Sequence, residues 1–193
     1  MSEILVIDVE ATCWRGAPPP GEQNEIIEIG ACLLHPVTGQ RSERASILVR
    51  PERSQVSAFC TELTTLTQAQ VDEGIPFEEA CALLRTRYRS EDRVWASYGD
   101  YDRKQFQTQC ASFGVEYPFS AKHVNVKAAF ARLESLSKPV GMAGALKRLQ
   151  HPLEGTHHRG GDDAWNIAAI LEYLLREHAV PVKELVTSGT RRE

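Results

Sequence analysis

The chain has 193 residues, 42% of them apolar and 25% charged, with a formal net charge of −4. That length suits one domain with a full core, and the balance is that of an ordinary globular protein rather than a disordered one. The negative charge argues against coating nucleic acid through bulk electrostatics, and no apolar run reaches the roughly 18–20 residues that cross a bilayer.

Residues 3–9 are near-continuous Ile, Leu and Val, which predicts a strand buried on both faces. A Pro/Gly-rich loop follows from Arg15 to Gly21. Residues 25–34 predict a second strand, His35 to Gln40 has turn composition, and 44–50 predict a third strand, completing an antiparallel meander. After Pro51 the period changes. Leu63, Leu66 and Val71 suggest short helices, and 77–89 carries an apolar stripe at Ala80, Leu83, Leu84 and Tyr88. A short strand is expected at 94–98 and a helix at 101–113 with Phe106 and Cys110 inward. A fifth strand at 123–126 leads into a helix at 127–136, and another short helix is expected at 141–149. The strongest amphipathic helix spans 162–178, with Ile167, Ile170, Leu171, Leu174 and Leu175 on one side.

This order predicts an α/β domain over residues 1–180, a mixed five-stranded sheet flanked by helices as in ribonuclease H-like folds, with 181–193 a frayed tail. The five cysteines are odd in number and never spaced Cys-x-x-Cys, so neither a disulfide framework nor a zinc site is expected. They suit reduced thiols in a cytoplasmic protein. The N-terminus has no positively charged stretch before its apolar run, and no signal peptide is expected.

Acidic residues recur at element boundaries. Alternation along a strand sends Asp8 and Glu10 out together from the end of the first one. Two adjacent carboxylates repel unless a cation lies between them, and an all-oxygen site suits Mg²⁺ or Mn²⁺. Taken alone, an Asp-x-Glu is more often a solvated acidic turn, and an Asp opening a helix is more often a cap. Here Asp100 or Asp102 follows the fourth strand, and His157 and His158 precede Asp162 and Asp163 at the last helix. Strand C-termini and helix N-termini gather at one edge of an α/β sheet. Four carboxylates there would hold two divalent ions about 4 Å apart, ready for in-line attack on a phosphodiester. A nearby histidine can deprotonate the attacking water.

Asp8-x-Glu10, Asp102 and His158 five residues before Asp163 resemble, in order and spacing, the DEDDh family of 3′–5′ exonucleases. The chain looks most like the Eri-type branch, which trims histone mRNA and small RNAs, in a bacterial-style single-domain form. Its marks are Ile7 to Cys13, Asn24 to Ile29, Val49 to Glu52, Phe59-Cys60, Leu63-Thr64 and Thr67 to Val71. The likeness runs from residue 3 to about 176.

The resemblance implies that Asp8, Glu10 and Asp163 ligate the catalytic ion, with Asp8 also reaching a second ion. Asp102 would orient that second ion, and His158 would be the general base. It selects Asp102 over Asp100, Asp163 over Asp162 and His158 over His157, leaving His157 to phosphate or solvent. Phe59 and Tyr101 would sandwich the terminal base, Leu63 would wedge beside it, and main chain at Ala11 and Thr12 would touch the terminal ribose. The implied partner is a single-stranded 3′ end, RNA favoured over DNA, with 5′-mononucleotides released and no membrane involved. A DNA exonuclease of proofreading or repair type is the alternative, and a binding module without chemistry the more distant one. Arg103, Lys104, Lys122 and Arg159 are candidate phosphate contacts, and Arg15 could flank the nucleotide path. Two departures stand out. Thr65 replaces the branch's usual glycine after Leu-Thr, and Tyr101 stands where the branch often has Trp.

Overall fold

The computed structural model describes residues 3–188. β1 (Ile4–Ala11), β2 (Ile26–Leu34) and β3 (Arg41–Leu48) form the antiparallel meander, and β4 (Trp95–Ser97) and β5 (Lys122–Asn125) extend it in parallel from β1. α1 (Ala58–Thr64), α2 (Gln68–Asp72) and α3 (Phe77–Tyr88) lie between β3 and β4, and α4 (Tyr101–Phe113) between β4 and β5. α5 (Val126–Leu133), α6 (Met142–Arg148) and α7 (Gly160–Glu177) follow. The mixed sheet flanked by helices is the expected architecture.

One strand is added. α8 (Val182–Leu185) and β6 (Val186–Ser188) occupy much of the segment expected to fray, and β6 pairs antiparallel with β5 to give the order β3-β2-β1-β4-β5-β6. Leu185 is buried in the core and anchors this return, in elements too short to leave a period in the sequence. Residues 189–193 of the expected tail lie outside the described residues.

The pleat sorts β1 between two cores. Ile4 and Val6 face α5, α6 and α7, while Leu5, Ile7 and Val9 face α3 and α4. α7 crosses β1, β2 and β3 on the first of these faces, burying Ile167, Ile170, Leu171 and Leu174. A smaller cluster of Ile27, Cys60, Leu66 and Val71 seats α1 and α2. Local signals fix the short helices: Ser57 caps α1, and Thr67 with Gln70 forms a capping box on α2.

α7 begins two residues earlier than the apolar stripe suggested. Gly160 and Gly161 are its first residues, because the helix end lies directly on the sheet backbone. A Cβ on Gly30 would fall 1.8 Å from the Gly160 carbonyl oxygen, and one on Gly161 would fall 2.8 Å from that of Ala45. The glycine pair is therefore a contact surface and not a loop breaker. Among the described residues, no helix is long and apolar enough to cross a membrane.

Candidate active site

Asp8 and Glu10 continue the face of Ile4 and Val6, so both point toward α7. Their partners across the β1–β2 ladder are Gly30 and Glu28. Asp163 comes from the first turn of α7, and one carboxylate oxygen from each of Asp8, Glu10 and Asp163 lies within 4.8 Å of the others. Asp102, in the first turn of α4, is fixed by a 3.0 Å hydrogen bond from the Val9 N–H to its Oδ1. All four acids border one cleft of about 390 Å³, together with His157, His158, Tyr101, Leu63 and Ala11.

The neighbouring acids are engaged outside the cleft. Asp100 is ion-paired to Arg103 at 3.0 Å, whereas Asp102 is buried and faces the cleft. Asp162 is bound by Arg44 and by the Thr156 N–H at 2.6 Å, whereas Asp163 faces Asp8 and Glu10.

Crowded, buried carboxylates resist ionisation. Burial first, then Asp102, Glu10 and Asp163, holds the Asp8 carboxyl well above the usual range. Burial and then Asp163, Glu28 and Asp102 push Glu10 up to about 8. Burial lifts Asp102 to about 6 against the opposing Val9 hydrogen bond, and it raises Asp163 as well. The Asp163 Oδ1 is buried with no hydrogen-bond partner. This donor set fits a divalent cation: its ligand atoms are hard oxygens, and a dication would offset the burial and mutual repulsion that raise their pKa values.

That charge state has a measurable sign. Glu10 ordinarily titrates at 4.5 and is held at about 8, so the folded state keeps a proton that the unfolded state releases. Below the lower value both states are protonated and burial of Glu10 carries no charge penalty; as pH rises toward the upper value, stability is lost. The metal-free protein is expected to melt at lower temperature at about pH 8 than at about pH 5. Mg²⁺ or Mn²⁺ at ~100 times its dissociation constant adds ~2.7 kcal/mol. For a chain of this size that is about 5–10 °C. The gain should be larger at the higher pH, where fewer protons compete for the acids; scanning calorimetry with and without metal reads both effects.

His157 leaves 40% of its side chain accessible to solvent, and its Nδ1 lies 2.9 Å from Asp163 Oδ2. The His158 backbone N–H donates to the same oxygen at 3.0 Å, and the two imidazoles stack at 4.0 Å. His158 has φ +64°, a left-handed conformation held at a loop that reaches into the cleft. Burial and then His157 lower its pKa, so its imidazole is neutral near pH 7.

Among the expected nucleotide contacts, Ala11, Leu63 and Tyr101 border the cleft, and Tyr101 is 54% exposed. Thr12 lies behind the cleft wall. It is fully buried, its N–H donates to the Glu25 carbonyl at 2.8 Å, and its own carbonyl accepts from Asn24 Nδ2 at 2.6 Å. Phe59 is half-buried and carries the Arg15 guanidinium 5.1 Å above its ring, with Arg15 also paired to Glu62 at 2.6 Å. Arg15, with 72% of its side chain accessible, lies over one face of the Phe59 ring. Arg159 is not a loose surface cation, because it pairs with Glu28 at 2.9 Å. Thr65 sits at φ +64° at the C-cap of α1, the backbone region where glycine is favoured. Sequence reasoning missed Tyr98, Gly141, Met142 and Ile167 in the cleft wall, since apolar residues there look like any other core.

The family profile described as RNase T exonuclease matches residues 5–171. The Drosophila melanogaster 3′-5′ exonuclease Snipper is 29% identical over 201 residues, covering 93% of this chain and 71% of that protein. The human 3′-5′ exoribonuclease 1 is 31% identical over 187 residues, covering 90% of this chain and 52% of that protein, so the chain spans about half its length. The rAMP-bound nuclease domain of 3′hExo, a DEDDh family member, superposes with a TM-score of 0.82 at 30% identity, covering 91% of this chain and 92% of that domain. Fold, sequence and the order of acids and histidine agree, and this chain belongs to the DEDDh 3′–5′ exonuclease family.

Proposed function

We propose that this chain removes 5′-mononucleotides from single-stranded 3′ ends, preferring RNA to DNA, with two Mg²⁺ or Mn²⁺ ions. The observation that carries the reading is the convergence of Asp8, Glu10, Asp102, Asp163 and His158 on one cleft. The preference for RNA is supported by the ribonucleotide bound to the similar 3′hExo domain. The five free thiols suit a reducing, cytoplasmic setting.

In this reading Asp8, Glu10 and Asp163 would hold the catalytic ion, and Asp102, fixed by Val9, would orient a second. Bound divalent ions lower the pKa of water and offset the charge that builds on the phosphodiester. The neutral His158 imidazole accepts the proton of the attacking water at a ring nitrogen. Bonded to Asp163, His157 keeps that carboxylate aimed into the cleft and supports the ring of His158. Tyr101 offers a flat face for the terminal base, whatever its identity. Phe59, under the exposed Arg15 side chain, would supply the opposite face. Main chain at Ala11 and Thr12 meets the terminal ribose, the Thr12 carbonyl through the lone pair that Asn24 leaves free, and Leu63 packs beside the base.

The test is a comparison of matched RNA and DNA oligomers with Mg²⁺, with Mn²⁺ and with EDTA. RNA should shorten faster than DNA and chelation should stop both. Faster loss of DNA would move the chain to a proofreading or repair role.

A further inference from the structure

Glu28 is fully buried one strand away from the acids and takes no part in the chemistry above. It stands opposite Glu10 in the β1–β2 register, on the side of the sheet that α7 covers. Four groups converge on its carboxylate. Arg159 donates from Nη2 to Oε1 at 2.9 Å and from Nε to both oxygens at 3.3 Å. The Gly160 N–H donates to Oε2 at 2.7 Å, and the Ser46 hydroxyl donates to Oε1.

Those partners bracket the catalytic loop. Arg159 follows His158 directly, and Gly160 is the first residue of α7, the helix that carries Asp163. α7 has no side-chain cap of its own at Arg159, so Glu28 satisfies a first-turn N–H from across the sheet. His158 lies between two tethers. On one side the His157 ring is bonded to Asp163, and on the other the Arg159 guanidinium is clamped by Glu28. A left-handed histidine persists only where its surroundings over-determine it, and these two tethers are what surround it.

We propose that Glu28 and Arg159 form a positioning pair that locks the His158 loop and the Asp163 end of α7 to the strand ladder carrying Asp8 and Glu10. Through it the two halves of the metal-and-base constellation, about 150 residues apart in sequence, hold one relative placement. The basic side chain beside His158 is thus committed to Glu28.

This inference rests on the exonuclease reading only where turnover is measured; Mn²⁺ affinity tests it without any substrate. The variants are Arg159→Lys, Arg159→Met, Glu28→Gln and the double Glu28→Gln/Arg159→Met. Calorimetric Mn²⁺ affinity, kcat, KM and Tm are read for each. Removing groups that orient metal ligands typically costs about 10–100-fold in metal affinity or activity. Arg159→Met should lose that much Mn²⁺ affinity and kcat with KM unchanged, and Arg159→Lys should recover part of both. Glu28→Gln leaves a half-buried guanidinium without its counter-charge and can fail to fold, but the double variant removes both charges and should regain Tm. If the pair positions the site, the double variant stays weak in Mn²⁺ binding and kcat even as Tm returns. Recovery of all three together would make the pair merely structural and overturn the proposal. A rise in KM alone for Arg159→Met would return Arg159 to the substrate phosphate and overturn it equally. Should the parent protein fail to shorten RNA, the exonuclease reading falls while the Mn²⁺ arm still decides the positioning role.

Discussion

His158→Ala is expected to lower turnover by ~10²–10⁴-fold, the usual worth of a positioned general base, while Mn²⁺ affinity stays close to the parent value. The imidazole is suited to the task because burial and the stacked His157 keep it neutral where the enzyme would work. It is the His158 backbone N–H, not its ring, that bonds to Asp163, so alanine preserves that contact. In the parent, activity should fall as pH drops through the lowered pKa and protonates the ring. Full activity in His158→Ala across about pH 6–8 would transfer the base to His157, the imidazole bonded to Asp163.

Asp8→Asn should separate catalysis from stability. Metal ions contribute several kcal/mol of charge stabilisation, and each 1.4 kcal/mol is tenfold in rate, so turnover should drop ~10³-fold or more. The same change removes a carboxyl whose pKa is raised first by burial and then by Asp102, Glu10, Asp163 and Glu28. The metal-free variant should therefore melt above the metal-free parent at about pH 8, and it should gain less from added Mn²⁺. If Asp8 were an ordinary packed acid, activity and melting temperature would fall together.

Much of this arrangement was legible because its signals are local. The pleat of β1 alone places Asp8 and Glu10 on one face, and the apolar stripe of α7 puts Asp163 at a helix start. What stayed hidden depends on partners distant in sequence. Glu28 meets Arg159 across 131 positions, and neither residue type announces a buried pair. Gly160 and Gly161 resemble a loop until Gly30 and Ala45 are seen beneath them. Thr12 sits in the expected motif, which does not show that Glu25 and Asn24 bond its main chain; Phe59 does too, with no sign that Arg15 lies over its ring. α8 and β6 are too short to carry a period, and only the edge of β5 gives them a place. A motif fixes which residues meet, but long-range packing decides which of their atoms remain available.

The most direct test of the central claim is a time course on one RNA oligomer labelled at the 5′ end or at the 3′ end, with a circular RNA beside it. A cleft that works from a free terminal ribose should release the 3′ label at once as a mononucleotide. It should convert the 5′-labelled strand into a descending ladder and leave the circle intact. Early release of the 5′ label, or cleavage of the circle, would contradict a 3′–5′ exonuclease built on Asp8, Glu10, Asp102, Asp163 and His158.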